Sequence, residues 1–483
     1  MCILDKLHEE CGVFGIFETD RQQGVIPAAY HSLYALQHRG QEGCGIAVNT
    51  DGVMYCHKDS GLVNEVFTKE VLEKLPEGNM AIGHCRYATT GVNNRNNVQP
   101  MLVNHHKGGM AVCHNGNLVN AAELREELEL GGAIFHATSD TEVIAYIATQ
   151  ERLKSNSIEE AVLKTMDRIE GAYSLIFMSA QKMIAVRDPH GFRPLCMGKR
   201  DGAVVFASET CALDAIGATF VRDIEPGEVV VVSDEGITNL RSRKKRDRAL
   251  CVFEFIYFAR PDSVIDGSSV HLARMRAGSF LALEHPVQAD VVIGVPDSGL
   301  DAAIGYSRQS GIPYGIGFIK NKYIARTFIQ PTQKERQNSV RIKLNAVTAT
   351  VKDKRVVLID DSIVRGTTSA RIVKLLREAG AKEVHMRLSA PPFKYPCYFG
   401  TDVDSTENLI AAKHSVEEIK EIIGVDTLGF LNIDYLDKLA DRTECGFCTG
   451  CFTGEYPVKP CRNVDKRKFE RSLTTKTIEE AMA

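Results

Sequence analysis

The sequence lacks three features that would assign it to a special class of protein: a long apolar run, a secretory signal and a strong net charge. No stretch approaches the roughly eighteen consecutive apolar residues of a membrane-spanning helix. The N-terminus, MCILDKLHEE, carries three acidic residues and no apolar core, which excludes a signal peptide. The 58 Lys and Arg residues against 62 Asp and Glu give a formal net charge of −4, which does not suit a chain that wraps nucleic acid. We therefore expect a cytoplasmic protein whose partners include neither membrane nor nucleic acid.

Wholesale disorder is also excluded, because hydrophobic residues make up 44% and charged residues 25% of the 483 residues. A chain of this length predicts roughly two to four domains. Tryptophan is absent, whereas cysteine occurs fourteen times. In an intracellular chain, thiols serve in metal binding or catalysis more often than in disulfides. Those that stand singly among apolar neighbours are predicted to be small buried hydrophobes: Cys56, Cys85, Cys113, Cys196 and Cys211.

The first half of the chain shows short β-branched or aromatic runs separated by glycine-rich turns. This pattern predicts strands. Two segments have helical periodicity, 27–40 and 138–153, and Thr138 or Ser139 can cap the second. Strands that cluster apart from the helices predict a layered α+β domain. The predicted strands cover 13–17, 45–48, 81–88, 110–116, 173–179, 183–188 and 204–208.

The character of the chain changes near residue 240. The basic run RSRKKRDR (241–248) is predicted to be an exposed connection between domains, in preference to a nuclear signal or a nucleic-acid arm. Beyond it, strands alternate with helices, which is typical of a parallel sheet with crossover helices. The alternating segments cover 289–296, 299–311, 354–361, 368–380 and 383–390.

The stretch VVLIDDSIVRGTTSARIV (356–373) is the most informative of the second half. A buried strand would deliver Asp360 and Asp361 to the sheet edge where open α/β sheets bind ligands. The following loop contains Gly366 and opens a helix whose free amides and hydroxyls form a phosphate cup. Paired carboxylates beside a phosphate indicate a phosphorylated sugar with Mg²⁺. The alternative is an ordinary strand whose acids lie in solvent.

This string closely resembles the phosphoribosylpyrophosphate (PRPP) motif of type I phosphoribosyltransferases. The resemblance implies that Asp360 and Asp361 contact the ribose hydroxyls and Mg²⁺, and that Ser298 in VPDSG lies near the metal. It also implies a 5-phosphate held by Arg365, Gly366, Thr367 and Thr368. The basic segment 320–345 is predicted to close over the pyrophosphate as a lid, with an ordinary surface loop as the alternative.

Cys11 begins the predicted strand CGVFGIF, and no side-chain base is recognisable near it. A cysteine at the first position of a chain can use its own α-amino group as the base. The residues alone do not establish Cys11 as the catalyst. That assignment requires Met1–Glu10 to be a removed leader.

Five segments of the first half together resemble the N-terminal-nucleophile glutamine amidotransferases, in the same order as in that family: ECGVFGIF, LQHRGQEGCGIAV, GHCRYATTG, CHNGNL and SDTE. The resemblance implies an αββα sandwich with Cys11 as nucleophile. Arg86 would bind the carboxylate of glutamine and Asp140 its ammonium group. Asn115 and the amide of Gly116 would stabilise the oxyanion. His84 and His114 flank these motifs and are predicted to be packing residues.

A glutaminase half joined to a PRPP half resembles the amidophosphoribosyltransferases. That resemblance implies a glutaminase domain over 11–240 and a phosphoribosyltransferase domain over 241–483. It also implies ammonia transfer to PRPP in purine synthesis, purine nucleotides as feedback inhibitors and a homotetramer. Alternatives are another glutamine amidotransferase, a PRPP-binding regulator and a redox protein.

The C-terminal cysteines leave two interpretations open. Read locally, Cys445, Cys448, Cys451 and Cys461 could form a zinc site. The members of the resembling family that carry a leader also carry a 4Fe–4S cluster. The resemblance then implies four ligands, with Cys445 and Cys461 to spare: Cys251, Cys397, Cys448 and Cys451.

Overall fold

The structure is a computed structural model that describes residues 11–19, 24–87, 95–321, 344–401, 403, 405–441 and 446–459. The predicted leader, most of the predicted lid, Cys445 and Cys461 lie outside these residues. The described chain forms two compact units. The first unit contains residues 11–247, 398–401 and 458–459, and the second contains 248–397 and 403–457. None of the described helices is long and apolar enough to cross a lipid bilayer.

The first unit is built on two antiparallel sheets with helices outside them. The seven-stranded sheet has the order β11-β9-β10-β1-β4-β2-β3, and the six-stranded sheet has the order β13-β12-β8-β7-β6-β5. The helices are α1 (Val25–Ala35), α2 (Val63–Val66), α3 (Lys69–Lys74), α4 (Ala121–Leu130), α5 (Asp140–Lys154), α6 (Ile158–Arg168) and α7 (Thr210–Asp214). The strands are β1 (Gly12–Phe17), β2 (Gly43–Thr50), β3 (Val53–Ser60), β4 (Met80–Arg86), β5 (Met101–His105), β6 (Gly108–Leu118), β7 (Gly171–Ser179), β8 (Met183–Arg187), β9 (Cys196–Arg200), β10 (Ala203–Ala207), β11 (Thr219–Asp223), β12 (Glu228–Ser233) and β13 (Gly236–Arg241).

Strand β1 shows why the first unit has four layers. Its sequence GVFGIF is buried at every position. Phe14 and Ile16 pack with the helix side of the sheet, which includes α1 and α7. Val13 and Phe17 point the other way, into a core shared with the six-stranded sheet. Because α5 and α6 cover the outer face of that second sheet, the order of layers is α, β, β, α, and the predicted sandwich is confirmed.

The second unit contains a four-stranded parallel sheet with the order β17-β20-β21-β22. Alternate residues of β20 face opposite layers: Val357 and Ile359 pack with α8 and α9, and Val356 and Leu358 pack with α11 and α13. The predicted parallel sheet is confirmed, and helices cover both of its faces. The strands are β14 (Ala249–Cys251), β15 (Val264–Ile265), β16 (Ser268–Ser269), β17 (Val291–Gly294), β18 (Phe318–Lys320), β19 (Leu344–Ala346), β20 (Arg355–Asp360), β21 (Glu383–Leu388), β22 (Thr427–Phe430) and β23 (Gly446–Cys448). The helices are α8 (Val270–Glu284), α9 (Leu300–Ser310), α10 (Thr348–Val351), α11 (Thr367–Glu378), α12 (Ile410–Lys413), α13 (Val416–Ile423) and α14 (Gly450–Thr453).

Two local predictions needed adjustment. The helix predicted over 27–40 ends at Ala35, because the chain turns after Leu36 with the amide of Arg39 donating to the carbonyl of Leu36. Cys56 is only partly buried, whereas the other four cysteines predicted to be small hydrophobes are buried. At the start of α5 the cap is Ser139, whose hydroxyl accepts from the amide of Thr141.

Candidate active sites

Cys11 lies at the N-terminal end of β1 and is 7% exposed. Strand β1 pairs with β4 so that Gly12 faces Cys85, which places Cys11 next to the end of β4, where Arg86 and Tyr87 follow. The Cys11 thiol lies 3.4 Å from the carbonyl oxygen of Tyr87. The predicted nucleophile and the predicted carboxylate-binding arginine therefore lie at the same end of these two neighbouring strands.

A buried ion pair that the sequence analysis missed holds the backbone of Cys11. The Arg39 Nε–H donates to the carbonyl of Cys11 over 3.0 Å. The same guanidinium contacts Glu209 at 2.6 Å, and both side chains are fully buried. Burial alone would raise the pKa of Glu209, but the adjacent His38 and Arg39 outweigh it and hold that pKa well below its ordinary value. The segment LQHRG, which contributed to the family resemblance, was the available signal for Arg39.

Asn115 and Gly116 lie on β6, in the facing sheet. Asn115 is fully buried, and neither polar atom of its amide has a hydrogen-bond partner among the described residues. Such an orphaned buried amide costs free energy unless a ligand engages it. Gly116 has φ +140, and a Cβ there would lie 2.1 Å from the carbonyl oxygen of Ala172, so only glycine fits. The pair offers an unpartnered amide next to a tightly packed glycine, and its role as the oxyanion site stays a prediction.

Asp140 is the first residue of α5, and both its oxygens are engaged. The amide of Leu118 donates to Oδ2 over 3.0 Å, and Nδ1 of His114 lies 3.5 Å from Oδ1. Burial alone would raise the pKa of Asp140, but His114 and these hydrogen bonds lower it below the ordinary value. The carboxylate is therefore kept anionic, as binding an ammonium group requires.

His84 and His114, predicted as packing residues, connect the two sheets. His84 Nε2 lies 3.0 Å from the carbonyl oxygen of His114, and both rings are buried. Burial is the largest cause that lowers the pKa of His84, to about 3, so its ring is neutral and Nε2 is the donor. Because Arg86 lies two residues after His84 and Asn115 directly follows His114, the bond brings the two motifs together. The contacts of Cys11 with Tyr87, of His84 with His114 and of His114 with Asp140 thus connect the segments that carry the predicted glutamine-site residues.

The second unit carries a separate cluster at the C-terminal end of β20. Asp360 and Asp361 are fully buried there. The hydroxyls of Ser298 and Ser362 each donate to the Asp361 carboxylate over 2.7 Å, so the structure brings the predicted Ser298 and Asp361 together. The turn containing Ser298 fits tightly against this strand, because a Cβ on Gly299 would lie 2.4 Å from the carbonyl oxygen of Ile359.

The loop after these acids leads directly into α11. Gly366 caps the helix with φ +83, where an added Cβ would lie 2.8 Å from Ile410 Cδ1. Thr367 is the first helical residue, and Thr368 follows it. The first amides of a helix have no partner within the helix, so the start of α11 is the kind of element that binds anions, and the predicted role of Arg365 to Thr368 stays a prediction.

Four cysteines of the second unit form a third cluster. Strands β14 and β23 pair in parallel with Cys251 opposite Cys448. The amides of Lys394 and Tyr395 donate to the carbonyl of Cys451, which brings the segment before Cys397 to the same place. Burial, and then the neighbouring thiols of Cys397, Cys251 and Cys448, raise the pKa of Cys451 well above its ordinary value. In the parts of the chain that the structure describes, no three His, Cys, Asp or Glu side chains converge closely enough to hold a single metal ion.

Comparison with known proteins agrees with both units. A glutamine amidotransferase domain model matches residues 84–215, and a phosphoribosyl transferase domain model matches residues 273–390. The amidophosphoribosyltransferase of Bacillus subtilis strain 168 is 49% identical over 475 residues, which cover 97% of this chain and 98% of that protein.

Two solved structures resemble this chain over most of its length. The B. subtilis glutamine PRPP amidotransferase complexed with ADP and GMP has a TM-score of 0.87 at 48% identity, covering 94% of this chain and 98% of that one. A structure described as the allosteric regulatory enzyme of purine biosynthesis has a TM-score of 0.89 at 47% identity, covering 96% and 100%. With this identity over nearly the whole length, and with both domain models matched in order, the chain belongs to the amidophosphoribosyltransferase family, whose members are glutamine amidotransferases and phosphoribosyltransferases in one.

Proposed function

We propose that this enzyme converts glutamine, PRPP and water into 5-phosphoribosylamine, glutamate and pyrophosphate, the committed step of purine synthesis. One observation carries the proposal: Cys11 and the orphaned buried amide of Asn115 belong to one unit, and the same chain carries a buried acid pair followed by a helix start capped by Gly366. The two activities are proposed to follow the predicted domains, 11–240 and 241–483.

In the glutaminase reaction, the Cys11 thiolate attacks the amide carbon of glutamine. Arg86 binds the α-carboxylate and Asp140 the α-ammonium group of the substrate. Asn115 and the Gly116 amide donate to the oxyanion that develops on the amide oxygen. The C–N bond breaks, ammonia leaves, and water hydrolyses the thioester to glutamate.

The base for this chemistry is proposed to be the α-amino group of Cys11. That group exists only after Met1–Glu10 has been removed, so we propose that the leader is cleaved. Intact-mass measurement of active enzyme should show a chain that begins at Cys11. A fully active enzyme that retains the ten residues would contradict this proposal.

In the transferase reaction, ammonia attacks the anomeric carbon of PRPP, and the bond to pyrophosphate breaks. The loop from Arg365 to Thr368 is proposed to hold the 5-phosphate. The donors near it are hard oxygens, namely the carboxylates of Asp360 and Asp361 and the hydroxyl of Ser298, which suit Mg²⁺. Protein sites for this ion usually supply one or two carboxylates and leave the rest to substrate phosphates. Bound Mg²⁺ would neutralise charge on the departing pyrophosphate.

The four clustered cysteines are proposed to hold a 4Fe–4S cluster. Thiols that raise one another's pKa are unfavourable as thiolates until a cation compensates them. Cysteine thiolates are the ligands of such clusters, and these four come from segments far apart in the sequence. The cluster would serve as a structural link, because the reaction transfers no electrons.

Three further properties are proposed from the family. The B. subtilis structure was solved with ADP and GMP, which supports purine nucleotides as inhibitors of this enzyme. A homotetramer and a cytoplasmic location are proposed from the resemblance alone.

The decisive test separates the two ammonia sources. Cys11→Ala should abolish synthesis from glutamine and leave synthesis from free ammonia within about twofold, because only the glutaminase uses the thiol. Cys56→Ala, at a partly buried cysteine of the same unit, is the matched control and should retain both activities. Loss of both activities in Cys11→Ala with the fold intact, or retention of glutamine use, would refute the two-site scheme.

A further inference from the structure

We propose that residues 398–401, far along the chain from the glutaminase motifs, are positioning residues for the oxyanion site through their hydrogen bonds with Asn117 and Arg193. By the resemblance, this segment lies within the predicted phosphoribosyltransferase domain, 241–483. In the structure it belongs to the first unit. The inference rests on the proposed glutaminase function and adds residues to that site.

The first contact is made directly after the oxyanion residues. Asn117 follows Gly116 on β6 and is 4% exposed. Its Nδ2–H donates to the carbonyl of Tyr398 over 2.9 Å, across 281 positions of sequence. The acceptor is a backbone carbonyl, so this bond depends on the path of the segment and not on the type of side chain at 398.

The second contact involves the loop that follows β8. Arg193, which is fully buried, donates from Nη2 to the carbonyl of Phe399 over 2.8 Å. The rings of Phe192 and Phe399 stack with centroids 4.4 Å apart at 20°. Phe399 is 3% exposed, so its ring belongs to the core and not to an ordinary surface loop. A charged donor and an aromatic stack therefore fix the same residue.

These contacts matter for catalysis because of where Asn117 lies. The Asn115 amide has no protein partner in the described chain, and Gly116 adopts a conformation that other residues rarely reach. Neither residue is held by its own side chain, so their positions depend on the pairing of β6 with β7 and on the contacts of the neighbouring residue Asn117. An oxyanion donor is effective only within a few tenths of an ångström of its proper position. The bond from Asn117 to Tyr398 supplies that constraint at the end of β6.

The test compares Phe399→Gly with Phe399→Leu in the full-length enzyme. Phe399→Gly should lower kcat for glutamine hydrolysis roughly 10-fold to 100-fold, part of the effect of deleting an oxyanion donor. KM for glutamine should change less than about threefold, because Arg86 and Asp140 are untouched, and synthesis from ammonia should stay within about twofold. Phe399→Leu, which keeps an apolar side chain, should recover most of kcat. Phe220→Gly, at an exposed phenylalanine of β11, is the matched control.

Asn117→Ala provides the second arm and keeps the backbone intact if Phe399→Gly fails to fold. It should lower kcat for glutamine with the same small effect on KM. The kcat of the double variant should lie within about twofold of the kcat of the more impaired single variant, because both changes break the same connection. The inference would be overturned if the two losses of kcat multiplied in the double variant, if only KM changed, or if Asn117→Ala had a normal kcat. Failure of the proposed function would instead appear as glutamine use by Cys11→Ala.

Discussion

At the scale of single residues, the proposed glutamine site contains buried polar groups whose partners are remote in sequence. Arg39 holds the carbonyl of Cys11 and is in turn paired with Glu209. Removing one member of such a pair leaves the other buried and charged, which costs more than the pair itself contributes. The motif containing Arg39 could be recognised in the sequence, but Glu209 could not, because no local pattern connects residues 170 positions apart.

A prediction at this scale concerns His84. Its pKa is lowered by burial to about 3 in the folded protein, whereas an unfolded histidine titrates near 6.5. Below about pH 6.5 the unfolded chain binds a proton that the folded chain does not, so stability falls with falling pH, by up to about 1.4 kcal/mol per pH unit. His84→Gln keeps a donor for the His114 carbonyl and should show a smaller fall. The fall in stability is measured as the difference between the thermal unfolding midpoints at pH 7 and pH 5. An equal difference in the wild-type protein and in His84→Gln would contradict the prediction.

At the scale of elements, the strands and helices that carry chemistry were predictable to within a few residues. The string around Asp360 and Asp361 gave β20 and α11, because a buried strand followed by a glycine turn and a capped helix is a local pattern. The edge strands of the two sheets in the first unit were not predicted. Strand β11 has the sequence TFVRD and exposes both Phe220 and Val221. Its residues therefore do not alternate between a buried apolar face and an exposed polar face, which is the pattern from which a strand is predicted. Its place in the sheet comes from pairing with β9.

The prediction for the β20 loop is that Asp361→Asn weakens PRPP use. Loss of a charge-assisted contact should raise KM for PRPP by roughly 10-fold to 100-fold, about 1–3 kcal/mol. Glutamine hydrolysis without PRPP should be unchanged. Asp290→Asn is the matched control, because Asp290 pairs with Arg355 at the opposite end of the same strands and is solvent-exposed. Normal PRPP kinetics in Asp361→Asn, or an equal defect in Asp290→Asn, would contradict the assignment.

At the scale of the whole molecule, the fold brings together residues that no sequence motif connects. The sequence alone left a local zinc site open as an alternative to ligands drawn from positions 251, 397, 448 and 451. Only the pairing of β14 with β23 and the contacts around Cys451 bring those four together. The same holds for 398–401, whose partners lie 206 and 281 positions away. Sequence periodicity reports neighbours along a helix or strand, and it cannot report these.

The whole-molecule prediction is that anaerobically purified enzyme is brown and contains about four irons per chain. Exposure to oxygen should release the iron and lower the thermal unfolding midpoint, because the cluster would join segments distant in sequence. Cys251→Ser should reduce the iron content, whereas Cys56→Ser should not. Colourless protein with one zinc and no iron would favour the local site instead.

The loop at 398–401 also determines how relatives of this enzyme can be recombined. A chimera that joins residues 1–247 of this chain to the remainder of another family member would pair Asn117, Phe192 and Arg193 with a foreign loop. The two carbonyl acceptors would survive, since any backbone supplies them, but the stack on Phe192 would survive only if the donor also had an aromatic residue at the position of Phe399. A successful chimera therefore needs more than one crossover: residues 398–401 have to be transferred together with the N-terminal half.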